Sequence, residues 1–236
     1  MLRLISRRIF LCLAGGALAA PTFSWPANEV PTLLDHILLG CSDLDRGIAF
    51  VEARTGVRAA FGGVHPGRGT QNALLSLGTR RYLEIIAPDP KQSGAQQYPV
   101  IAKLTEPRLI GWAAHLSDLQ SFAVNLAKSG VAAVGPSPGS RRRPDGRVLQ
   151  WKALTLKENA TDLLPFFIEW SADSMHPSAD SPKGCSLLRF EAVSPETESL
   201  SKQIALLNLD IPIVKGDNPQ LRATIAGPRA QFTVTS

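Results

Sequence analysis

The segment CSDLDRGIAFVEARTGV, beginning at Cys41, is echoed by LSDLQSFAVNLAKSGV, beginning at Leu116. Each holds Ser-Asp-Leu, then a largely apolar run, then Thr or Ser with Gly-Val. A unit of about 75 residues cannot bury both faces of a sheet by itself. Two copies that pair can, and this repetition restricts the chain more than any other feature.

The first copy opens on LDHILLGC (Leu34–Cys41), a short apolar run that predicts a strand. Ser42 with Asp45 three positions later predicts a helix start, and Leu44, Ile48 and Val51 supply one apolar face. Gly56 predicts the stop. The second copy repeats this with LIGWAAHL, Ser117 and Gln120 as a capping box, Leu119, Phe122, Ala123 and Leu126 as the face, and Gly130 as the stop. A weaker third copy reads SLLRFEAV, Ser194 as cap, Pro195 at the first helical position, and a face of Leu200, Ile204 and Leu207.

Three short apolar runs follow each helix. They are VRAAFGG, NALLSLG and RRYLEIIAP in the first copy, and VAAVGP, RVLQWKALTL and LPFFIEWS in the second. The expected fold is α+β: paired β-α-β-β-β modules forming a curved sheet around a cup, with a partial third module. The expected boundaries are residues 34–90 and 108–171 for the two modules and 185–236 for the third unit, with linkers at 91–107 and 172–184.

Composition bounds the function. Of 236 residues, 44% are hydrophobic and 19% charged, which suits a packed globular core. The formal charge is +5 from 25 basic and 20 acidic residues. Arg3, Arg7 and Arg8 account for three of the basic ones, leaving 22 against 20. The basic balance therefore gives no case for nucleic acid. SRRIFLCLAGGALAAP has a basic start, an apolar run too short to span a bilayer and a small-residue Ala17-Leu18-Ala19 site. With Arg7-Arg8 it predicts a twin-arginine export signal over residues 1–19, a periplasmic or secreted protein, and no stable membrane span after processing. Cys12 would leave with that segment. Cys41 and Cys185 could form one disulfide or stay as buried thiols.

Strand alternation sorts side chains by face. His36 shares a face with Leu38 and Gly40; Tyr82, Glu84 and Ile86 share another; Gly111, Ala113 and His115 a third; Phe167 and Glu169 a fourth. If these are the cup faces, His36, Glu84, His115 and Glu169 converge. Carboxylates in apolar strands need a partner. A cation supplies one, and imidazole with two carboxylates suits Zn, Mn, Fe or Ni as a divalent metal cofactor. The alternative is pairing with Arg80, Arg81 or Arg189.

In HPGRGTQN the glycines let backbone approach a ligand, with His65 and Asn72 to contact it. It is no dinucleotide fingerprint, because the third glycine position is Asn72. SRRRPDGR occupies the matching place in the second copy; Arg141, Arg142, Arg143 and Arg147 could clamp a carboxylate or phosphate, Arg143 and Arg147 first among them, unless the run is a solvated hairpin. GPSPG has the Gly-x-Ser-x-Gly pattern, but Pro138 lacks the N–H that a nucleophile elbow requires, and the stretch reads as a turn. Trp112, Trp151 and Trp170 are aromatic candidates for the cup wall, Trp151 for substrate contact.

The strand-one His, the fourth-strand Glu and the runs LDHILLGCSDLD, HPGRGTQNALLSLG, YLEIIAPDP, RPDGRVLQW and LPFFIEW resemble the glyoxalase-like domain family of the vicinal oxygen chelate superfamily. The resemblance implies metal ligands at His36, Glu84 and Glu169, with Glu84 and Glu169 also catalytic. The fourth ligand position falls on Gly111, which cannot ligate; His115, four residues on, is a shifted substitute. It implies a metal-dependent isomerase, lyase or dioxygenase acting on vicinal oxygens of a small substrate. The alternative is a metal-free small-molecule binding protein of the same fold. A homodimer through the third unit's exposed strand edge is a further expectation.

Overall fold

The computed structural model describes residues 29–92, 99–159 and 161–236. Residues 1–28, which include the expected export signal and Cys12, and part of the first linker lie outside the described residues.

The first module runs β1 (Leu34–Gly40), α1 (Leu44–Thr55), β2 (Ala60–His65), β3 (Thr70–Ser76) and β4 (Tyr82–Pro88). The second runs β5 (Arg108–His115), α2 (Leu119–Lys128), β6 (Ala133–Arg142), β7 (Val148–Leu156) and β8 (Phe166–Trp170). The eight strands close into a barrel in the order β1-β4-β3-β2-β6-β7-β8-β5. Each module sets its first strand parallel to its fourth, β1 on β4 and β5 on β8. The modules join along β1 and β5, which run antiparallel, and more narrowly where Val64 of β2 meets Arg142 of β6.

The third unit is β9 (Ser186–Ser194), α3 (Thr197–Leu206), β10 (Ile213–Lys215), β11 (Gln220–Ala226) and β12 (Gln231–Thr235). It has the same element order but different pairing. Its first strand lies between β10 and β11, in a separate sheet ordered β10-β9-β11-β12. That sheet packs on the barrel's outside, with Phe190 against Trp112 and Phe232 against Phe50.

Local rules place the helices one residue later than the serines predict. Asp43 and Asp118 are the N-caps, each accepting the backbone N–H three positions on, from Arg46 and Ser121. Both shorter side chains yield to a carboxylate that also answers the helix dipole. α3 starts after Glu196, with no side-chain cap. Gly56 ends α1 with φ 81°, the left-handed conformation that a stop requires.

β1 divides the interior. Ile37, Leu39 and Cys41 join the apolar core under the helices, whereas His36 and Leu38 line the barrel lumen. Each fully buried Leu or Ile contributes about 1.5–3 kcal/mol. Cys41 and Cys185 are buried free thiols, and burial pushes the Cys41 thiol up to about 12. GPSPG is not a turn. It lies within β6, with a register irregularity between Val134 and Ser137, so the strand continues through to Arg142. Among the described residues, no helix is long and apolar enough to cross a membrane.

Candidate functional site

β4 carries Glu84 into the lumen, and three strands supply its neighbours. His36 on β1 places Nε2 3.4 Å from Glu84 Oε2. His65, at the end of β2, places Nε2 3.5 Å from Oε1. Asn72 on β3 donates its amide to Oε1 at 2.6 Å. Burial would raise the Glu84 pKa. The neighbouring imidazoles of His65 and His36, the Arg141 guanidinium and the Asn72 hydrogen bond outweigh it, so the carboxyl sits below its ordinary value and is ionised at neutral pH.

The two imidazoles are held differently. His65 Nδ1 meets Thr70 Oγ1 at 2.9 Å, and burial pulls this ring down to about 4, leaving it neutral at pH 7. His36 Nδ1 meets Asp35 Oδ1 at 2.7 Å, and its ring stacks on Tyr82 at 4.5 Å. Asp35 is fully buried and also contacts His176 Nε2 at 3.1 Å and the Trp170 indole N–H at 3.0 Å. Burial raises its pKa, but hydrogen bonds with His176 and His36 more than reverse this, so it stays ionised. An ionised Asp35 fixes Nδ1 of His36 as the donor and leaves Nε2 facing the cup.

These groups open on a cavity of about 430 Å³ walled by Trp151, Trp170, Phe166 and Ile168. Trp151 fits because Gly139 has no side chain; a Cβ there would lie 2.5 Å from the indole nitrogen. Arg141, 3% exposed, also lines the cavity.

The structure brings His36, His65, Asn72, Glu84 and Trp151 together. It does not bring in the other expected residues. Glu169 points out of the lumen, because Phe167 on the same face of β8 packs against Phe122 of α2. Glu169 takes Lys152 at 2.8 Å and accepts from Leu119 N at the start of α2. Its partner is therefore a lysine and a helix end, neither a cation in the cup nor an arginine. His115 lies in a second, separate hollow with Arg80, Lys152 and Glu169. Arg143 and Arg147 bind Asp145 and Asp180 instead of lining the cup. Because β6 runs further than its sequence suggests, the inward member of that basic run is Arg141.

The superfamily's divalent metal can be tested against these side chains. The first module offers His36, His65 and Glu84. The second presents Gly111 and Ile168 to the cup, and neither can ligate. Gly111 has φ 151°, a conformation that disfavours any side chain, with open space above it. Among the described residues, no three His, Cys, Asp or Glu side chains are disposed to hold a metal ion. The donor set does not fit the group.

The glyoxalase-like domain family matches residues 34–207, which is most of the chain. The chain belongs to the glyoxalase-like domain family. Its paired modules and cup are the fold expected of the vicinal oxygen chelate superfamily. A hypothetical protein from Staphylococcus aureus has a similar fold, with TM-score 0.60 at 19% identity over 85% of this chain and 84% of its own. Methylmalonyl-CoA epimerase from Mycobacterium tuberculosis aligns with TM-score 0.44 at 24% identity over 61% of this chain and 92% of its own. None of the curated proteins compared with the chain matches it. Within this glyoxalase-like protein, sequence reasoning overlooked Asp35 and His176, and it ranked Arg143 and Arg147 above Arg141, the member of the basic run that lines the cavity. Alternation sent Asp35 to the opposite face from His36, but β1 is irregular between Leu34 and His36, and the carboxylate turns back to the ring. His176 sits in a segment that reads as linker, and only tertiary contact reveals it.

Proposed function

We propose that this glyoxalase-like protein is a metal-independent enzyme that moves a proton on a small oxygenated organic molecule held in the cup. The observation that carries the reading is Glu84: a buried, ionised carboxylate flanked by the Nε2 atoms of His36 and His65 at 3.4 and 3.5 Å.

Such a carboxylate can take a proton from a carbon beside a carbonyl. The developing oxyanion then needs a hydrogen-bond donor or cation in a dry site. Arg141 shares the cavity and stays charged at physiological pH. His36, oriented by Asp35, can exchange a proton at Nε2. This is isomerase- or lyase-type chemistry with the protein's own groups in place of a Lewis acid. Export to the periplasm, as the N-terminal segment suggests, is part of the same proposal and rests on sequence alone.

The test is deuterium uptake. The full chain is incubated in D₂O with a panel of aryl ketones and 2-oxo acids, with and without chelator, and followed by proton NMR. Uptake that persists in chelator and falls at least about 100-fold in Glu84→Gln supports the reading. Uptake that requires an added divalent metal contradicts it.

A further inference from the structure

Among the described residues, Arg141 is a buried cation with no ion-pair partner in contact, although the charge of Glu84 is near enough to act on it. Arg141 is 3% exposed, its Nε has no hydrogen-bond partner, and among the described residues no carboxylate reaches its guanidinium. Its neighbour in the run, Arg143, also has an Nε without a hydrogen-bond partner, but its guanidinium is ion-paired with Asp145 and Asp180. Leaving a buried charge unpaired is costly, and a bidentate oxyanion is what a guanidinium accepts best. Asn72 supplies a second unanswered atom. Its amide nitrogen binds Glu84, but its buried Oδ1 has no donor.

Gly62 shows that the two lie side by side. A Cβ built there would stand 2.5 Å from Asn72 Oδ1 and 2.8 Å from Arg141 Nη1, so those atoms are at most the sum, 5.3 Å, apart. One orphan needs a negative charge and the other needs a hydroxyl donor.

We infer that the cup is a 2-oxo carboxylate site, with Arg141 binding the carboxylate and Asn72 Oδ1 accepting from the hydroxyl of the enol form. This rests on the proton-transfer reading and names its substrate class. The step is a keto–enol isomerisation and balances without a co-reactant. The C3–H bond breaks to Glu84, its electron pair becomes the C2=C3 bond, the carbonyl π pair moves onto oxygen, and the proton held by Glu84 is handed to that oxygen to make the hydroxyl, which returns Glu84 to its ionised form. An acceptor-only Oδ1 favours that hydroxyl over the ketone, which has no hydrogen to donate. A single guanidinium suits a monoanion. A dianionic phosphate beside ionised Glu84 would leave excess negative charge in a buried cup.

The test is calorimetric binding of three probes to the full chain: 2-hydroxy-3-phenylpropanoate, 3-phenylpropanoate and 2-hydroxy-3-phenylpropanamide. The hydroxy acid should bind at least about tenfold tighter than either of the others, as expected when one charge-assisted contact or one buried acceptor goes unanswered. In Arg141→Met the preference for acid over amide should vanish, with the melting temperature unchanged or raised because an unpaired buried charge has gone. Equal binding of acid and amide by the wild type, or a preference that survives Arg141→Met, overturns the carboxylate site. Deuterium uptake with simple ketones would then still support the proton-transfer reading. Failure of all three probes together with absence of any uptake overturns both.

Discussion

Trp170 donates its indole N–H to the fully buried carboxylate of Asp35 at 3.0 Å, tying the last strand of the second module to the first strand of the first. The same carboxylate holds His36 and His176. One acidic side chain therefore joins both modules and the connecting segment beyond them, and it orients the imidazole that faces Glu84.

Asp35→Asn should destabilise the fold by about 3 kcal/mol, as loss of a buried charge with several partners does. The folded-state pKa of Asp35 lies below its ordinary value, so its stabilisation is present above the unfolded carboxylate pKa of about 4 and is lost as pH falls below it. Urea unfolding between pH 3 and pH 7 checks this, and the acid limb should flatten in Asp35→Asn.

His65 titrates with the opposite sense. Burial lowers it to about 4, whereas an unfolded histidine titrates near about 6.5. The unfolded chain therefore binds the extra proton first, and stability falls as pH drops from about 6.5 towards 4, by about 3 kcal/mol in all. Nitrogen-15 NMR of the imidazole should show a neutral ring at pH 6. A ring that is half protonated there contradicts the account.

Glu169→Gln should leave binding in the cup unchanged. Its carboxylate is committed to Lys152 and to the first N–H of α2, contacts worth roughly 1 kcal/mol together at this partly exposed position. A large loss of ligand affinity in this variant would restore it to the site.

Gly62→Ala should weaken probe binding about tenfold with the fold intact, because the new methyl displaces the free ends of Asn72 and Arg141. Melting temperature and calorimetry separate that outcome from general unfolding.

The repeat, the strand order within each module and the inward face of β1 were legible because apolar spacing and helix punctuation are local. Ile37 and Leu39 fell on the core side and His36 on the lumen side, as alternation requires. β8 defeated the same reasoning. In FFIEW both faces carry aromatic side chains, and only the meeting of Phe167 with Phe122 decides which turns outward, taking Glu169 with it. Arg141 was named with its neighbours but ranked below Arg143 and Arg147, because β6 continues through glycines and prolines that read as a turn. Asp35 and His176 are 141 residues apart, and their contact has no local signature.

The central claim is a cup that binds without metal. Purify the full chain without chelator, quantify bound metals, and measure 2-hydroxy-3-phenylpropanoate binding before and after chelation. The account predicts metal well below one equivalent and unchanged affinity. Near-stoichiometric metal that disappears in His36→Ala and Glu84→Ala, with binding lost on chelation, would contradict it.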